Sequence, residues 1–208
     1  MFNVFNLITL IGFTAQGLFF SRFFFQLIAS EKQQKVVTPS LFWKLSLLAS
    51  TLLFFYGYLR DDFSIMLGQT LTYYIYIRNL QLQGEWKKLP LSLRWCFYLF
   101  PVIGLSWLFL RDPLLIETLF NNNEIPLSWI LLGTIAQLVF ILRFVYQWFQ
   151  SERKKVSYLP LGFWLISISG ALLILSYAIL RQDLVLFVSH CLGIAIYSRN
   201  IYLHFKKG

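Results

Sequence analysis

The chain has 208 residues, of which 58% are hydrophobic, 19% aromatic and only 13% charged, with a mean hydropathy of +0.64. A soluble domain of this size carries roughly twice that charged share, so the composition excludes an ordinary water-soluble globule and predicts a polytopic membrane protein. The net charge of +9 comes from basic residues in short loops between apolar runs, which excludes nucleic acid as a partner and reads as topology signals and contacts to anionic lipid.

Apolar runs of about 20 residues are long enough for a hydrocarbon core of about 30 Å. They predict spans over 4–28, 41–59, 63–80, 93–111, 128–149, 161–180 and 184–204. The first has no basic lead and no small-residue cleavage pattern, so it reads as a retained span. Pro39 and Pro160 start the second and sixth helices, and Trp43 and Trp164 follow them in what reads as an aromatic belt. Cys96 and Cys191 fall in spans without zinc-ligand or CxxC spacing and read as buried, apolar-facing thiols. The longest connection is RDPLLIETLFNNNEIPL, whose NNNEIP portion is turn-rich.

Loop charge predicts an orientation. Lys32 and Lys35, then Lys87, Lys88 and Arg94, then Arg153, Lys154 and Lys155, and finally Lys206 and Lys207 share one side. On the other side, Arg60, Arg111 and Arg181 each have an acid close by (Asp61 and Asp62, Asp112, Asp183). The positive-inside bias places the N-terminus outside and the C-terminus in the cytoplasm, which agrees with an odd number of spans.

The stretch RFFFQLIASEK at Arg22 returns as RFVYQWFQSER at Arg143. Shifted by 121 residues, the chain aligns with itself without a gap from Gly12 to Gln83, with about a third of positions identical. Matched pairs include Gln16 and Gln137, Arg22 and Arg143, Gln26 and Gln147, Glu31 and Glu152, Tyr76 and Tyr197, Arg78 and Arg199, and Asn79 and Asn200. Each copy is a three-helix unit. Two copies of like orientation need one linking span, supplied by RWCFYLFPVIGLSWLFL. The expected fold is therefore all-α and transmembrane, about seven helices in a 3+1+3 plan with parallel repeats. Its parts are a first repeat at 1–90, a linker helix and external loop at 91–127, and a second repeat at 128–208.

Arg22 and Arg143 stand about 13 Å from the Glu that ends each first helix, at 1.5 Å per residue. An Arg at the bilayer centre costs roughly 2.5–3.5 kcal/mol on the gentlest scales, so both must face protein or ligand. Arg22, Gln26 and Ser30 stack at i, i+4, i+8 with Gln16 toward the same side, and Arg143, Gln147 and Ser151 repeat this with Gln137. With no carboxylate at equal depth in any span, the guanidinium forks suit phosphate. The alternative is that they fasten neighbouring helices through Gln, Ser and carbonyl groups. Gln69, Tyr73, Tyr76 and Asn79 form a polar and aromatic face suited to a sugar or headgroup, answered by His190, Tyr197 and Asn200. The same groups would equally serve interhelical hydrogen bonding. Glu31, Arg78, Glu152 and Arg199 are a candidate cytoplasmic gate or clasp, and Arg60 with Asp62 and Arg181 with Asp183 are outer clasps.

The pattern G-x3-Q-x5-RF-x2-Q-x3-SE, then P-x2-FW-x2-S, Y-x3-R-x-D and Y-x-RN occurs in both halves. It resembles the lipid A biosynthesis N-terminal domain family, taken here as a branch of the SWEET and PQ-loop-like membrane transporters. The resemblance implies a bacterial inner-membrane protein of lipid A or lipopolysaccharide metabolism. In some members this module is fused ahead of a lipid-A-disaccharide synthase domain. The chain shows no Ser-His-Asp pattern, no facing carboxylate pair and no phosphate loop, so it reads as no enzyme, with no cofactor and no metal.

Three functions follow as expectations. One is a transporter or flippase for a phosphorylated envelope glycolipid, a polyprenyl-phosphate sugar or a lipid A precursor, with Arg22 and Arg143 as the anion site. The second is a non-transporting membrane subunit that docks or feeds substrate to a cytoplasmic or membrane-associated glycosyltransferase. The third is a small-sugar carrier of SWEET type, which the deep arginines oppose, because neutral sugars need no cation.

Overall fold

A computed structural model describes residues 7–59, 63–111, 127–181 and 184–206. Among these, seven α-helices form: α1 (Leu7–Gln33), α2 (Ser40–Leu59), α3 (Phe63–Leu82), α4 (Leu91–Arg111), α5 (Leu127–Lys154), α6 (Leu161–Arg181) and α7 (Leu184–Phe205). A single 3-10 turn, Trp86–Lys88, precedes α4.

Helices α1 and α5 stop in the same way. Gln34 and Lys155 hold left-handed backbone, with φ of 50° and 53°. The N–H groups of Lys35 and Gln34 bond the carbonyls of Ser30 and Glu31, and those of Val156 and Lys155 bond Ser151 and Glu152. This double bond pattern is a Schellman cap, here placed on a non-glycine residue in both repeats. Pro39 and Pro160 then stand just ahead of α2 and α6, where a missing N–H costs nothing.

The chain forms two compact units. The first takes residues 1–22 and 40–122, the second 23–39 and 123–208, so α1 is shared between them. In the first unit α2 lies along α3, and α4 packs on both. Buried Phe54 and Met66 meet Tyr58, Phe100 and Leu105 there. Gly104 permits the approach, since a Cβ at that position would collide with the Phe54 ring. In the second unit α6 packs on both α5 and α7 around Phe144, Phe163, Trp164, Ala171 and Tyr197.

The seven helices form where seven spans are expected, but the transmembrane reading is corrected. Among the described residues only α2 and α4 are long and apolar enough to cross a membrane, and α6 adds a shorter apolar stretch, Leu161–Ser176. Arg22, Gln26 and Ser30 in α1, Thr72 and Asn79 in α3, Arg143, Gln147 and Ser151 in α5, and Asn200 in α7 are buried inside the units. The multi-pass topology, the bacterial inner-membrane placement and the outside N-terminus lose their support with the spans. What stands is an all-α architecture, with seven helices among the described residues.

Two smaller expectations are also corrected. Trp43 and Trp164 are fully buried rather than in an interfacial belt, each with its ring against a tyrosine of the third helix, Tyr76 or Tyr197. Cys96 and Cys191 are free and exposed, because they lie on outward faces of α4 and α7.

Candidate functional site

Each unit is built around a buried guanidinium. In the first, Arg22 is 3% exposed and its Nη1 donates to Ser46 Oγ at 2.7 Å and Tyr76 Oη at 3.4 Å. Its guanidinium also lies over the rings of Phe19 and Phe42, 4.6 and 5.1 Å from their centroids. In the second, Arg143 is 2% exposed and donates to Ser167 Oγ at 3.4 Å and Tyr197 Oη at 3.1 Å. Here the aromatic contact is closer, with the guanidinium 3.5 Å from the Phe140 centroid and 4.8 Å from that of Phe144. Hydrogen bonds and ring faces together are what a buried cation needs in place of water.

Ser46 and Ser167 each donate in turn to the carbonyl four residues back, at 2.6 Å. The first, second and third helices of each repeat are therefore tied through one side chain. The buried indole N–H groups of Trp43 and Trp164 have no hydrogen-bond acceptor among the described residues.

A second polar layer lies one turn along. Gln26 Nε2 donates to Ser30 Oγ at 2.8 Å and to the Val37 carbonyl at 3.2 Å. Gln147 repeats this with Ser151 Oγ at 2.8 Å and the Tyr158 carbonyl at 3.0 Å. These bonds hold the turn after the first helix against it. Gln26 also makes a reciprocal amide pair with Asn200, 2.8 and 3.2 Å. Asn79 donates to the Ile75 carbonyl at 2.8 Å.

The remaining candidate residues are placed differently. Gln16 is exposed, because six helical residues rotate it about 240° from Arg22. Gln69 accepts from Ser50 Oγ at 3.1 Å, and half-buried His190 stands with its ring 5.5 Å from that of Phe140. The side chain of Gln137 lies outside the described residues, as do those of Arg60, Asp62, Arg181 and Asp183 and the NNNEIP segment. Of the four gate residues, Arg199 pairs with Glu31, its Nη2 reaching Oε2 at 3.0 Å. That hydrogen bond holds the Glu31 carboxyl below its usual range and pushes Arg199 up. Arg78 donates to Gln81 Oε1 at 3.0 Å, and Glu152 pairs with Lys155 at 2.8 Å.

Apart from Arg78, the charged residues of a further feature were not singled out from sequence as site residues. Where α3 ends and α4 begins, the 3-10 turn closes a cavity of about 410 Å³, lined by Arg78, Lys87 and Arg94 together with Trp86, Trp95 and Tyr98. Lys87 and Arg94 read in sequence as mere topology charges. The available signal was their interleaving with aromatics in WKKLPLSLRWCFY. Among the described residues no group of three or more His, Cys, Asp or Glu stands close enough to hold a metal ion.

Comparison with known proteins gives consistent results. The family model described as Lipid A Biosynthesis N-terminal domain matches residues 11–81 and again 132–202, the same 121-residue offset as the internal repeat. A lipid-A-disaccharide synthase of Chlamydia pneumoniae is 31% identical over 207 residues, covering 95% of this chain and 33% of the relative. Lipid-A-disaccharide synthases of Chlamydia felis (strain Fe/C-56) and Chlamydia trachomatis serovar D are 29% and 30% identical, covering 95% and 84% of this chain and 33% and 30% of the relatives. The chain thus spans about a third of the length of the curated relatives it matches. No solved structure matches it.

These findings correct the wider resemblance. The relatives carry the name of a glycolipid synthase and not of a transporter, so the SWEET and PQ-loop affiliation, and the transporter and flippase readings drawn from it, are withdrawn. Residues 11–81 and 132–202 thus correspond to the Lipid A Biosynthesis N-terminal domain.

Proposed function

Because the chain belongs to the lipid A biosynthesis N-terminal domain family, and so to lipid A biosynthesis, we propose that it is a non-transporting accessory module that docks on a lipid-A-disaccharide-synthase-type glycosyltransferase and presents a phosphorylated glycolipid to it. One observation carries this reading: nearly the whole chain aligns with about a third of proteins named for that synthase. A module found within the same polypeptide as another activity is a natural partner of it when the two are separate chains.

The fold supports a holding role. Arg22 and Arg143 fasten three helices each in this reading, which leaves each unit a rigid platform. The outward side of α4 supports contact with lipid: Ile103 is 62% and Leu110 80% exposed, and Trp107 lies with them. An apolar face of that extent is at home against acyl chains.

The test is reconstitution. A relative's lipid-A-disaccharide synthase from which the matching third has been removed is assayed for disaccharide formation with and without this chain added. Recovery of rate, with co-purification of the two, is the expected result. If the rate is unmoved at a tenfold excess and the two proteins elute apart, the proposal is wrong.

A further inference from the structure

We propose that α5 is a self-association helix: its outward stripe of Ile135, Leu138, Leu142, Val145 and Phe149 pairs with the same stripe of a second copy of this chain. Such pairing is independent of the accessory role.

The stripe has the period of a helix seam. Its residues are spaced by 3, 4, 3 and 4, which puts Ile135, Leu142 and Phe149 at one core position of a heptad and Leu138 and Val145 at the other. All five fall within about 80° of arc on the helix surface, as narrow as a coiled-coil seam. Each is large and apolar, yet between 39% and 57% exposed. Exposed Trp148 stands at a position that flanks the seam.

The helix is inverted relative to a surface helix of a lone protein. From Leu138 to Glu152 the exposed residues are Leu138, Leu142, Val145, Trp148 and Phe149, every one apolar. The polar side chains of the same stretch, Arg143, Gln147 and Ser151, are buried inside the unit. A surface helix ordinarily does the reverse, with its polar face toward water.

Three observations favour a second copy as the cover. The first is width. On α4 the exposed apolar residues, Leu93, Trp95, Leu99, Trp107 and Phe109 among them, spread over about 200° of arc, as suits acyl chains, which ask for apolarity at any spacing. Only another helix asks for alternation of three and four. The second is the other repeat. The residues 121 positions before the stripe are Thr14, Gly17, Ser21, Phe24 and Ile28, so α1 interrupts the seam with two hydroxyls and a glycine. The two copies of the repeat differ at this face, and α5 alone carries the unbroken heptad. The third is area. The stripe and Trp148 expose roughly 600 Å² per copy, so a symmetric pair buries about 1,200 Å² in total, the lower limit of a stable specific interface. A second copy brings an identical stripe, as an isologous contact requires.

Sedimentation equilibrium of the full chain in neutral detergent tests this. Wild type shows a concentration-dependent monomer–dimer equilibrium. Leu142→Glu weakens dimerisation at least about tenfold. Leu172→Glu on α6, equally exposed in the same unit, leaves it unchanged. Circular dichroism verifies that both variants keep their helix content. A second route leaves the charge of the face alone. With exposed Cys96 and Cys191 replaced by serine, Leu142→Cys is joined into a dimer by a short bismaleimide and Leu172→Cys is not. A wild type that stays monomeric at every concentration overturns the pairing, as do equal effects of the two glutamate variants or equal cross-linking of the two cysteine variants. If the wild type is monomeric and a spin label on Leu142→Cys is relaxed by lipid-dissolved oxygen in vesicles, acyl chains cover the face. If Leu142→Glu instead releases a lipid-A-disaccharide synthase from a monomeric chain, the face is the synthase's dock. Either result overturns self-pairing.

Discussion

The two units share a sequence pattern but not a balance of forces. Around Arg22 the short bond is to a serine hydroxyl, at 2.7 Å, and the nearest ring centroid stands at 4.6 Å. Around Arg143 the serine has receded to 3.4 Å and a ring centroid has closed to 3.5 Å. The guanidinium stands closer to a hydroxyl in one unit and closer to a ring face in the other. On the third helices Arg199 pairs with Glu31, and Arg78 donates to Gln81 Oε1. A repeated residue thus keeps its fold-level position while its neighbours decide its chemistry.

The largest effect is expected at the centre of this comparison. Arg22→Ala and Arg143→Ala each remove the bonds to a serine and a tyrosine and leave a hole, at a cost of about 3 kcal/mol in denaturant unfolding followed by circular dichroism. Arg143→Ala is the costlier by about 1 kcal/mol, the worth of its closer aromatic contact. Equal losses would break the comparison and show that ring distance is irrelevant to the balance.

Next come the glycines that admit close approach. Gly104→Ala drives a methyl into the buried Phe54 ring and costs about 2 kcal/mol. Gly170→Ala, where the nearest Phe140 atom is 3.0 Å away, costs less than half of that. Thermal melts of the two variants order them, and a reversal would mean that α4 is docked more loosely than α6.

The caps give a smaller gain. Lys155→Gly and Gln34→Gly relieve left-handed backbone, and each raises stability by about 0.5–1 kcal/mol in the same unfolding experiment. Gln34→Gly gains less, because Gln34 Oε1 also accepts from Lys206 at 2.7 Å.

The smallest effect is in acid. Hydrogen bonds from Lys44 and then Lys88 lower the Glu85 carboxyl from 4.5 to about 2. A lowered carboxylate stabilises the fold above its unfolded value, and the contribution is lost as pH falls through the folded one. The midpoint of unfolding should therefore drop between about pH 4.5 and 2, and Glu85→Gln should flatten the profile in that window. High salt removes most of the difference, since the pair is at the surface.

The sequence made the helices legible for a physical reason. Long apolar runs bounded by Pro39, Pro160 and charged turns have few alternatives to helix, and the observed ends fall within a few residues of the expected ones. The membrane reading rested on long apolar runs, which a protein core accommodates as well as a bilayer does. Trp43 and Trp164 misled likewise, since an amphipathic ring near a helix start fits a bilayer interface and a protein core equally well. The cavity at Arg94 escaped because basic residues near apolar segments have a ready explanation in topology. The sharing of α1 between units had no sequence signal at all, because the break at Arg22 and Phe23 interrupts no pattern.

That shared helix makes the duplication indivisible. A gene cut in the linker would produce a first fragment that retains Gln26 and Glu31 but has lost Asn200 and Arg199, the residues that answer them. The second fragment would keep Asn200 and Trp164 with no Phe23 beside them. The second unit would be an incomplete substrate for folding, and the first fragment would carry its missing piece, residues 23–39. Two such fragments mixed in solution have a reason to recombine that neither has to fold alone.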